Sequence, residues 1–430
     1  MPVIYIDNFR GFKSTYLPLR PVNFFVGENS TGKTSLLKLL GIISSQGFWR
    51  YKEFGLIEDG TFLGGYSEIA SEEKSYFEIG MLEDATDDGT SFSAIKLRFI
   101  NNDNYPTLKE ISFKNDIVSI QVILEGSILK YRYNIEKDQL QKKEDIEFFK
   151  SWIENSNLND LNFERIEIES GGILPILNQL ESVVTNSLNE TQKADIDIKS
   201  IKITRPSFLR TLAWMAPVRA EPRKVYEFRG LIFNPEGGHI PSVLKEILPH
   251  EDTRKILNRF GHDSGLYEEI NIKELSNDTF EILIKIKSKL HNIMNVGYGI
   301  SQILPLLIEA IARPNNSWFA MQQPEIHLHP KAQAAFGDFI YKSNDLENQK
   351  FIIETHSDYI IDRFRLRINR AFKEEKSSAE SISQVVFFSK SENRNELITI
   401  PIQENGSYPE NQPDAFRDFF INEQLNLLSI

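Results

Sequence analysis

Residues 22–43 read Val-Asn-Phe-Phe-Val-Gly-Glu-Asn-Ser-Thr-Gly-Lys-Thr-Ser-Leu-Leu-Lys-Leu-Leu-Gly-Ile-Ile. The apolar run 22–26 has the composition of a buried β-strand, and Ser35 to Ile43 that of a leucine-rich helix. Between them Gly27-Glu28-Asn29-Ser30-Thr31-Gly32-Lys33-Thr34 fits G-x-x-x-x-G-K-[ST] in full. Strand, glycine loop and helix, in that order, are the context a phosphate-binding loop needs. The glycines let the backbone curl so that several N–H groups point inward. Lys33 would reach the β- and γ-phosphates and the Thr34 hydroxyl would face Mg²⁺, while the helix adds its positive end. The competing reading is a glycine turn that matches by chance.

Outward from that loop, composition bounds the rest. A chain of 430 residues with 40% hydrophobic and 26% charged residues has enough apolar material for a core, which excludes disorder as the main state. The length suits two or three domains, or one large α/β domain with an insertion. With no cysteine, disulfide scaffolds, thiolate metal sites and cysteine catalysis are excluded. Lys+Arg 49 against Asp+Glu 61 gives a net charge of −12, so a general basic coat for nucleic acid is not expected, although a local basic groove is compatible. The opening MPVIYIDNFRGF does not have a signal-peptide pattern. The longest apolar region, 300–311, is interrupted by Gln302, Pro305 and Glu309. It falls short of the ~18 consecutive apolar residues of a membrane span. A cytoplasmic protein with no membrane partner is expected.

Short strands are predicted at 3–6, 280–286, 318–321, 351–354 and 385–388. Alternation over 76–100, 108–136 and 196–204 predicts an antiparallel meander, and 137–195 reads as charged, Asn-rich sequence with helical pieces such as 173–187. Helices predicted at 301–312, 330–342 and 357–373 alternate with the late strands, which implies βαβ units and a parallel sheet.

Three further motifs bear on chemistry. Trp318-Phe319-Ala320-Met321-Gln322-Gln323-Pro324-Glu325 is an apolar strand ending where P-loop ATPases place the Mg²⁺-side acid and the base. Here both positions are glutamine, which accepts a hydrogen bond but takes no proton at neutral pH. The following Ile326-His327-Leu328-His329 contains a histidine pair that reads either as part of a metal site or as loop histidines at a subunit interface. In Phe351-Ile352-Ile353-Glu354-Thr355-His356-Ser357, His356 follows a strand's C-terminal end, where ligands bind in parallel sheets. Asn295-Val296-Gly297-Tyr298-Gly299-Ile300-Ser301-Gln302 reads as a second anion-binding turn or as a helix start capped by Ser301.

These elements, in this order, resemble the ABC-type ATPases of the SMC/RecF/OLD group. On that resemblance GENSTGKT is the Walker A loop, MQQPE stands at Walker B, NVGYGISQ looks like the signature motif, HLHP like the D-loop and ETHS like the H-switch. Asp7-Asn8-Phe9-Arg10-Gly11-Phe12 is similar to the opening strand and adenine-side loop, which assigns Arg10 and Phe12 to the nucleotide. Phe62-Leu63-Gly64-Gly65-Tyr66-Ser67 stands where a Q-loop is expected but lacks the glutamine. Pro217 to Arg223 resembles a segment of smaller ATPases of bacterial anti-phage systems (Septu- and retron-like operons).

The resemblance implies an α/β P-loop NTPase of ABC-ATPase type. Its core sheet would be mixed or parallel, with an N-terminal antiparallel subsheet and an inserted α/β region. It implies an N-terminal ATPase lobe at 1–135, an insertion at 136–210 and a C-terminal ATPase lobe at 211–430. It further implies ATP and Mg²⁺ as cofactors and a head-to-tail homodimer or higher homo-oligomer closed by nucleotide. Gly27 to Thr34 and Ser35 would hold phosphate, with Thr34 and Gln322 on the metal side. Gly297, Gly299 and Ser301 would reach the γ-phosphate in trans and His356 in cis. Gln323 would stand at the base position, which predicts slow hydrolysis, with Glu325 as the nearest substitute acid.

Two functions follow. One is an ATPase controlling a separately encoded effector, a nuclease or toxin, in anti-phage defence. The other is a RecF-like repair ATPase that clamps DNA, for which Arg363, Arg365, Arg367 and Arg370 form a candidate basic run, with Arg219, Arg223 and Lys224 elsewhere in the chain. Salt bridging on a solvated helix is the competing reading of that run. The stretch 415–428 reads either as a partner-docking helix, through Phe416, Phe419 and Phe420, or as a helix packed on its own domain.

Overall fold

Because Val22–Gly27 is buried at every position, it must be covered on both faces, as strands of parallel sheets are. In the computed structural model it lies inside a six-stranded sheet. The order is Leu212–Met215, Trp318–Gln322, Lys350–Glu354, Val22–Gly27, Ser383–Ser391, Arg394–Ile402. The first five strands pair in parallel. The structure describes residues 1–51, 54, 63–71, 74–84, 92–135, 145–156, 162–168, 171–188, 201–203, 205–374, 382–391 and 394–418.

The chain divides into two units. One holds Met1–Leu19, Lys38–Thr211 and Lys390–Leu397; the other holds Arg20–Leu37, Leu212–Ser389 and the chain from Ile398 on.

In the second unit, helices Tyr298–Ala312, Pro330–Glu347 and Asp358–Lys373 connect the late strands of the sheet. Their apolar stripes and the sheet share one core that includes Phe24, Ile303, Leu307, Phe319, Phe336, Ile353 and Phe364. The signature-like helix starts at Tyr298, three residues before the expected position, so Ser301 lies inside it and is not its cap. The cap position is Gly297, which offers no side chain for capping. A small antiparallel sheet, Tyr226–Glu227, Thr279–Ile286 and Glu269–Glu274 with Lys289–Asn292 beside Thr279–Ile286, completes this unit.

The first unit is an antiparallel sheet of eight strands, in the order Thr15–Pro18, Val3–Asp7, Tyr76–Asp84, Phe92–Asn102, Tyr105–Asn115, Val118–Glu125, Ile128–Ile135, Glu164–Glu167. Alternation buries one side of Val118–Glu125, where Val118, Ile120, Val122 and Leu124 point inward, whereas Val3–Asp7 and the stretch Phe77 to Glu83 are buried continuously. Phe77 and Phe99 stack at 5.1 Å on neighbouring strands. The buried Glu78 is offset by Arg98 at 2.8 Å and Lys96 at 3.6 Å. Helix Ile173–Ser187 falls where the periodicity places it.

The strand expected over 196–204 is corrected in part: 201–203 carry no strand, and the remainder lies outside the described residues. Among the described residues no helix is long and apolar enough to cross a membrane.

Candidate functional site: the glycine loop and the strand ends beside it

Parallel pairing aligns the strand ends. Gln322 is the register partner of Glu354, and Glu354 that of Phe25, so Gln322, Glu354 and the loop after Val26 share the C-terminal edge of the sheet. Ligands bind at such edges. The loop begins at Gly27 with φ +130°, where a Cβ would stand 2.0 Å from the Phe388 carbonyl oxygen. Only glycine fits there, for both strain and space. Ser30 (φ 62°) and Gly32 (φ 94°) complete the curl, and the Thr31 hydroxyl donates to the Glu28 carbonyl at 2.8 Å. Glu28, Asn29 and Ser30 are exposed on the rim, while Ser35 is half-buried in the first turn of helix Lys33–Ser44.

Lys33 is buried, and its ammonium donates to the carbonyls of Gly27 (2.8 Å) and Glu28, inside the loop. Burial pushes its pKa below the usual lysine value, against the charges of Glu354 and Glu28. The Thr34 hydroxyl donates to Glu354 Oε1 at 2.8 Å, with Oε2 at 3.1 Å, and accepts from Gln322 Nε2 at 2.9 Å. Gln322 Oε1 is buried and has no hydrogen-bond partner. Burial pushes the Glu354 carboxyl above its ordinary range. The Thr34 hydrogen bond, Lys33 and Gln322 act downward, while the Glu325 charge acts upward.

Hydroxyl, carboxylate and unpartnered amide oxygen make an all-oxygen donor set, the kind a hard dication such as Mg²⁺ takes. The ammonium, the curled backbone and the helix N-terminus suit a polyphosphate. These residues fit both groups.

Gln323 begins the turn after the strand, with φ 44° and its N–H on the Glu354 carbonyl at 2.8 Å. Glu325 accepts from the Thr355 hydroxyl at 2.8 Å and the His356 N–H at 2.7 Å, so its carboxylate ties the two loops together. His356 itself is exposed. His329 caps helix Pro330–Glu347, its ring nitrogen accepting from the Ala332 N–H, and His327 packs edge-on against Tyr298 at 4.8 Å. Gly299 lets the signature-like helix approach that loop, since a Cβ there would stand 2.6 Å from the His327 carbonyl oxygen. Nothing lies within 4 Å of a Cβ built at Gly297, and the Ser301 hydroxyl turns back to the Tyr298 carbonyl at 2.8 Å.

In the other unit, the Arg10 N–H bonds to the Ile69 carbonyl at 2.8 Å and its guanidinium to the Leu63 carbonyl, while Phe12 is fully buried. Of the Q-loop-like stretch, Leu63 to Ser67 is described and Phe62 lies outside the described residues.

Two residues take a part here that the sequence reading does not give them. Glu354, two residues before His356, carries no role in it, although an acid ending an apolar strand at a ligand edge is itself a signal. Arg219 enters it only as one of the basic residues of the DNA-clamp reading. Arg219 is 1% exposed. One of its nitrogens donates to the Gln322 carbonyl at 3.1 Å, while Nε and Nη1 have no partner. Burial lowers its pKa to about 10, opposed by the charge of Glu325.

The AAA ATPase domain family matches residues 1–207 and 239–361. The chain belongs to that family. Among solved structures, this AAA ATPase domain is similar to an SMC head bound to the C-winged helix domain of ScpA: 12% identity, 94% of this chain and 98% of that one, TM-score 0.45. It is also similar to the SMC head domain from Thermotoga maritima, at 10% identity over 93% and 98% with TM-score 0.41. RecF, a recombination mediator protein, matches at 11% over 92% and 97% with TM-score 0.30. Among curated proteins nothing matches.

Proposed function

We propose that this AAA ATPase domain binds ATP and Mg²⁺ at the Gly27–Ser35 loop and closes as a homodimer over the nucleotide. We further propose that it hydrolyses slowly and uses the ATP-bound state to control a separately encoded effector, a nuclease or toxin, in anti-phage defence. The observation that carries the reading is the Lys33–Thr34–Glu354 cluster in a curled loop at the sheet's C-terminal edge.

Several features support the parts. The signature-like segment offers a face for a second copy: Gly297 is open, and Leu290, Met294 and Tyr298 are exposed. Apolar exposure of that kind suits a partner surface. Bound Mg²⁺ would neutralise phosphate charge. Lys33 would hold the β- and γ-phosphates, Thr34 and Glu354 would orient the metal side, and His356, fixed through its N–H by Glu325, would stand at the γ-phosphate. Gln322 and Gln323 take no proton, and both Glu325 oxygens are already engaged. ATP would therefore persist as dimer glue.

Three of the four arginines of the basic run are engaged by acids in this conformation, while Arg370 is exposed. Arg367 is held by Asp338 at 2.6 and 2.8 Å, Arg363 lies 3.7 Å from Asp338, and Arg365 bonds Asp362 at 2.9 Å and stacks on Tyr408. This favours the regulator over the clamp. Phe416, in the stretch that reads either as a partner-docking helix or as a helix packed on its own domain, packs against Phe387 and Tyr408; Phe419 and Phe420 lie outside the described residues.

Size-exclusion chromatography with light scattering tests the dimer. ATP·Mg²⁺ is expected to double the mass of the parent chain and not of Lys33→Ala. A parent that stays monomeric under saturating nucleotide would refute closure. Co-purification with the product of the adjacent gene, gained or lost with ATP, tests the effector.

A further inference from the structure

P-loop ATPases carry the acid that faces the bound metal at the end of the strand that here finishes in Gln322. That residue has no charge, yet a carboxylate is present at the same threonine. Gln322 and Glu354 are register partners on adjacent parallel strands and reach one hydroxyl from two sides. Gln322 Nε2 is 2.9 Å from Thr34 Oγ1, and Glu354 Oε1 is 2.8 Å from it. Glu354 is 3% exposed and Gln322 6%, so neither is there for solvent. Leaving a buried amide oxygen unpaired carries a desolvation cost. Gln322 Oε1 is such an atom, on the strand next to the carboxylate and beside the hydroxyl a metal would use. Glu325 does not compete for the role, because Thr355 and His356 occupy its oxygens.

We propose that Glu354 supplies the metal-side carboxylate of this nucleotide site from the neighbouring strand, with Gln322 contributing its neutral amide oxygen. The strand pair thus carries a transposed Walker B acid. This inference rests on the nucleotide-binding reading above. It assigns Glu354 a role that a merely structural acceptor for Thr34 would not have, namely setting the affinity for the metal.

The test is Mn²⁺ binding to the ATP-loaded chain, followed by electron paramagnetic resonance, with ATP binding measured separately in EDTA. Glu354→Gln keeps the shape and an acceptor for Thr34 but removes the charge. It is expected to weaken Mn²⁺ by roughly 10–100-fold, the loss typical when a metal's supporting carboxylate goes. ATP binding in EDTA should not weaken. The double variant Gln322→Glu/Glu354→Gln, which moves the acid back one strand, is expected to recover most of the Mn²⁺ affinity. Parent-like Mn²⁺ binding in Glu354→Gln, or a double variant as weak as Glu354→Gln, would overturn the assignment. If Glu354→Gln fails to fold by circular dichroism, Glu354→Asp decides: drawing the carboxylate back by one methylene should still cost roughly tenfold, and an unchanged affinity overturns the proposal. A parent chain that binds no ATP, with or without metal, would overturn both this assignment and the nucleotide reading beneath it.

Discussion

Replacing Gln323 by glutamate should turn a slow ATPase into a faster one. Gln323 opens the turn that follows strand Trp318–Gln322, its backbone N–H anchored on the Glu354 carbonyl at 2.8 Å, so the position is fixed at the sheet edge beside the loop. The side chain there takes no proton, and Glu325 two positions on has both oxygens engaged by Thr355 and His356. Without a general base, hydrolysis is expected to lose ~10²–10⁴-fold. Set against a median turnover of about 10 s⁻¹, that places the parent at roughly 0.1 to 0.001 s⁻¹. A glutamate at 323 is expected to recover at least ~10²-fold, which corresponds to about 2.7 kcal/mol of barrier at 1.36 kcal/mol per decade. A coupled phosphate-release assay at saturating ATP·Mg²⁺, run on both chains at equal concentration, measures this. A parent turning over at ~1 s⁻¹ or faster, or a Gln323→Glu chain no faster than the parent, would refute the reasoning.

Other expectations follow from single contacts. Lys33→Ala removes the ammonium, held inside the loop by two carbonyls, that would reach the β- and γ-phosphates; losing charge-assisted phosphate contacts of about 1.5–3 kcal/mol each should weaken ATP by roughly 10²-fold or more in a fluorescent-nucleotide titration. Gly299→Ala puts a Cβ 2.6 Å from the His327 carbonyl oxygen and should cost about 1–3 kcal/mol in denaturant unfolding. Glu309 is buried between His239 (2.8 Å) and Arg313 (2.6 Å), so Glu309→Gln should cost about 3–5 kcal/mol. Burial pushes the Glu309 carboxyl up, but His239 and Arg313 outweigh it and hold the pKa below its ordinary 4.5. An acid depressed by folding stabilises above its unfolded pKa and loses that contribution as pH falls through the folded value. Thermal melts of the parent should therefore fall more steeply below pH 4.5 than those of Glu309→Gln, and parallel curves would show that the pair contributes nothing.

The parts of this protein that were legible in the sequence are those written by local chemistry. The strand–loop–helix at 22–43 follows from a short apolar run interrupted only by Asn23, two glycines and a lysine. The late strands were legible because full burial makes them continuously apolar, and Val118–Glu125 because a half-buried strand alternates. The site was less legible, because it depends on register between strands separated by whole helices. Gln322 meets Glu354 only because Pro330–Glu347 returns the chain in parallel beside Trp318–Gln322, and no spacing rule shows which acid faces Thr34. Arg219 read as one basic residue among several, and its burial is a tertiary fact. Gly297 and Gly299 look alike in sequence, yet one is open and the other is packed against a backbone carbonyl.

Isothermal titration calorimetry of ATP·Mg²⁺ into the parent chain tests the account most directly. One nucleotide per chain, with Lys33→Ala giving a flat titration, is the result expected. No heat from the parent at saturating nucleotide, together with no rise in melting temperature, would contradict it.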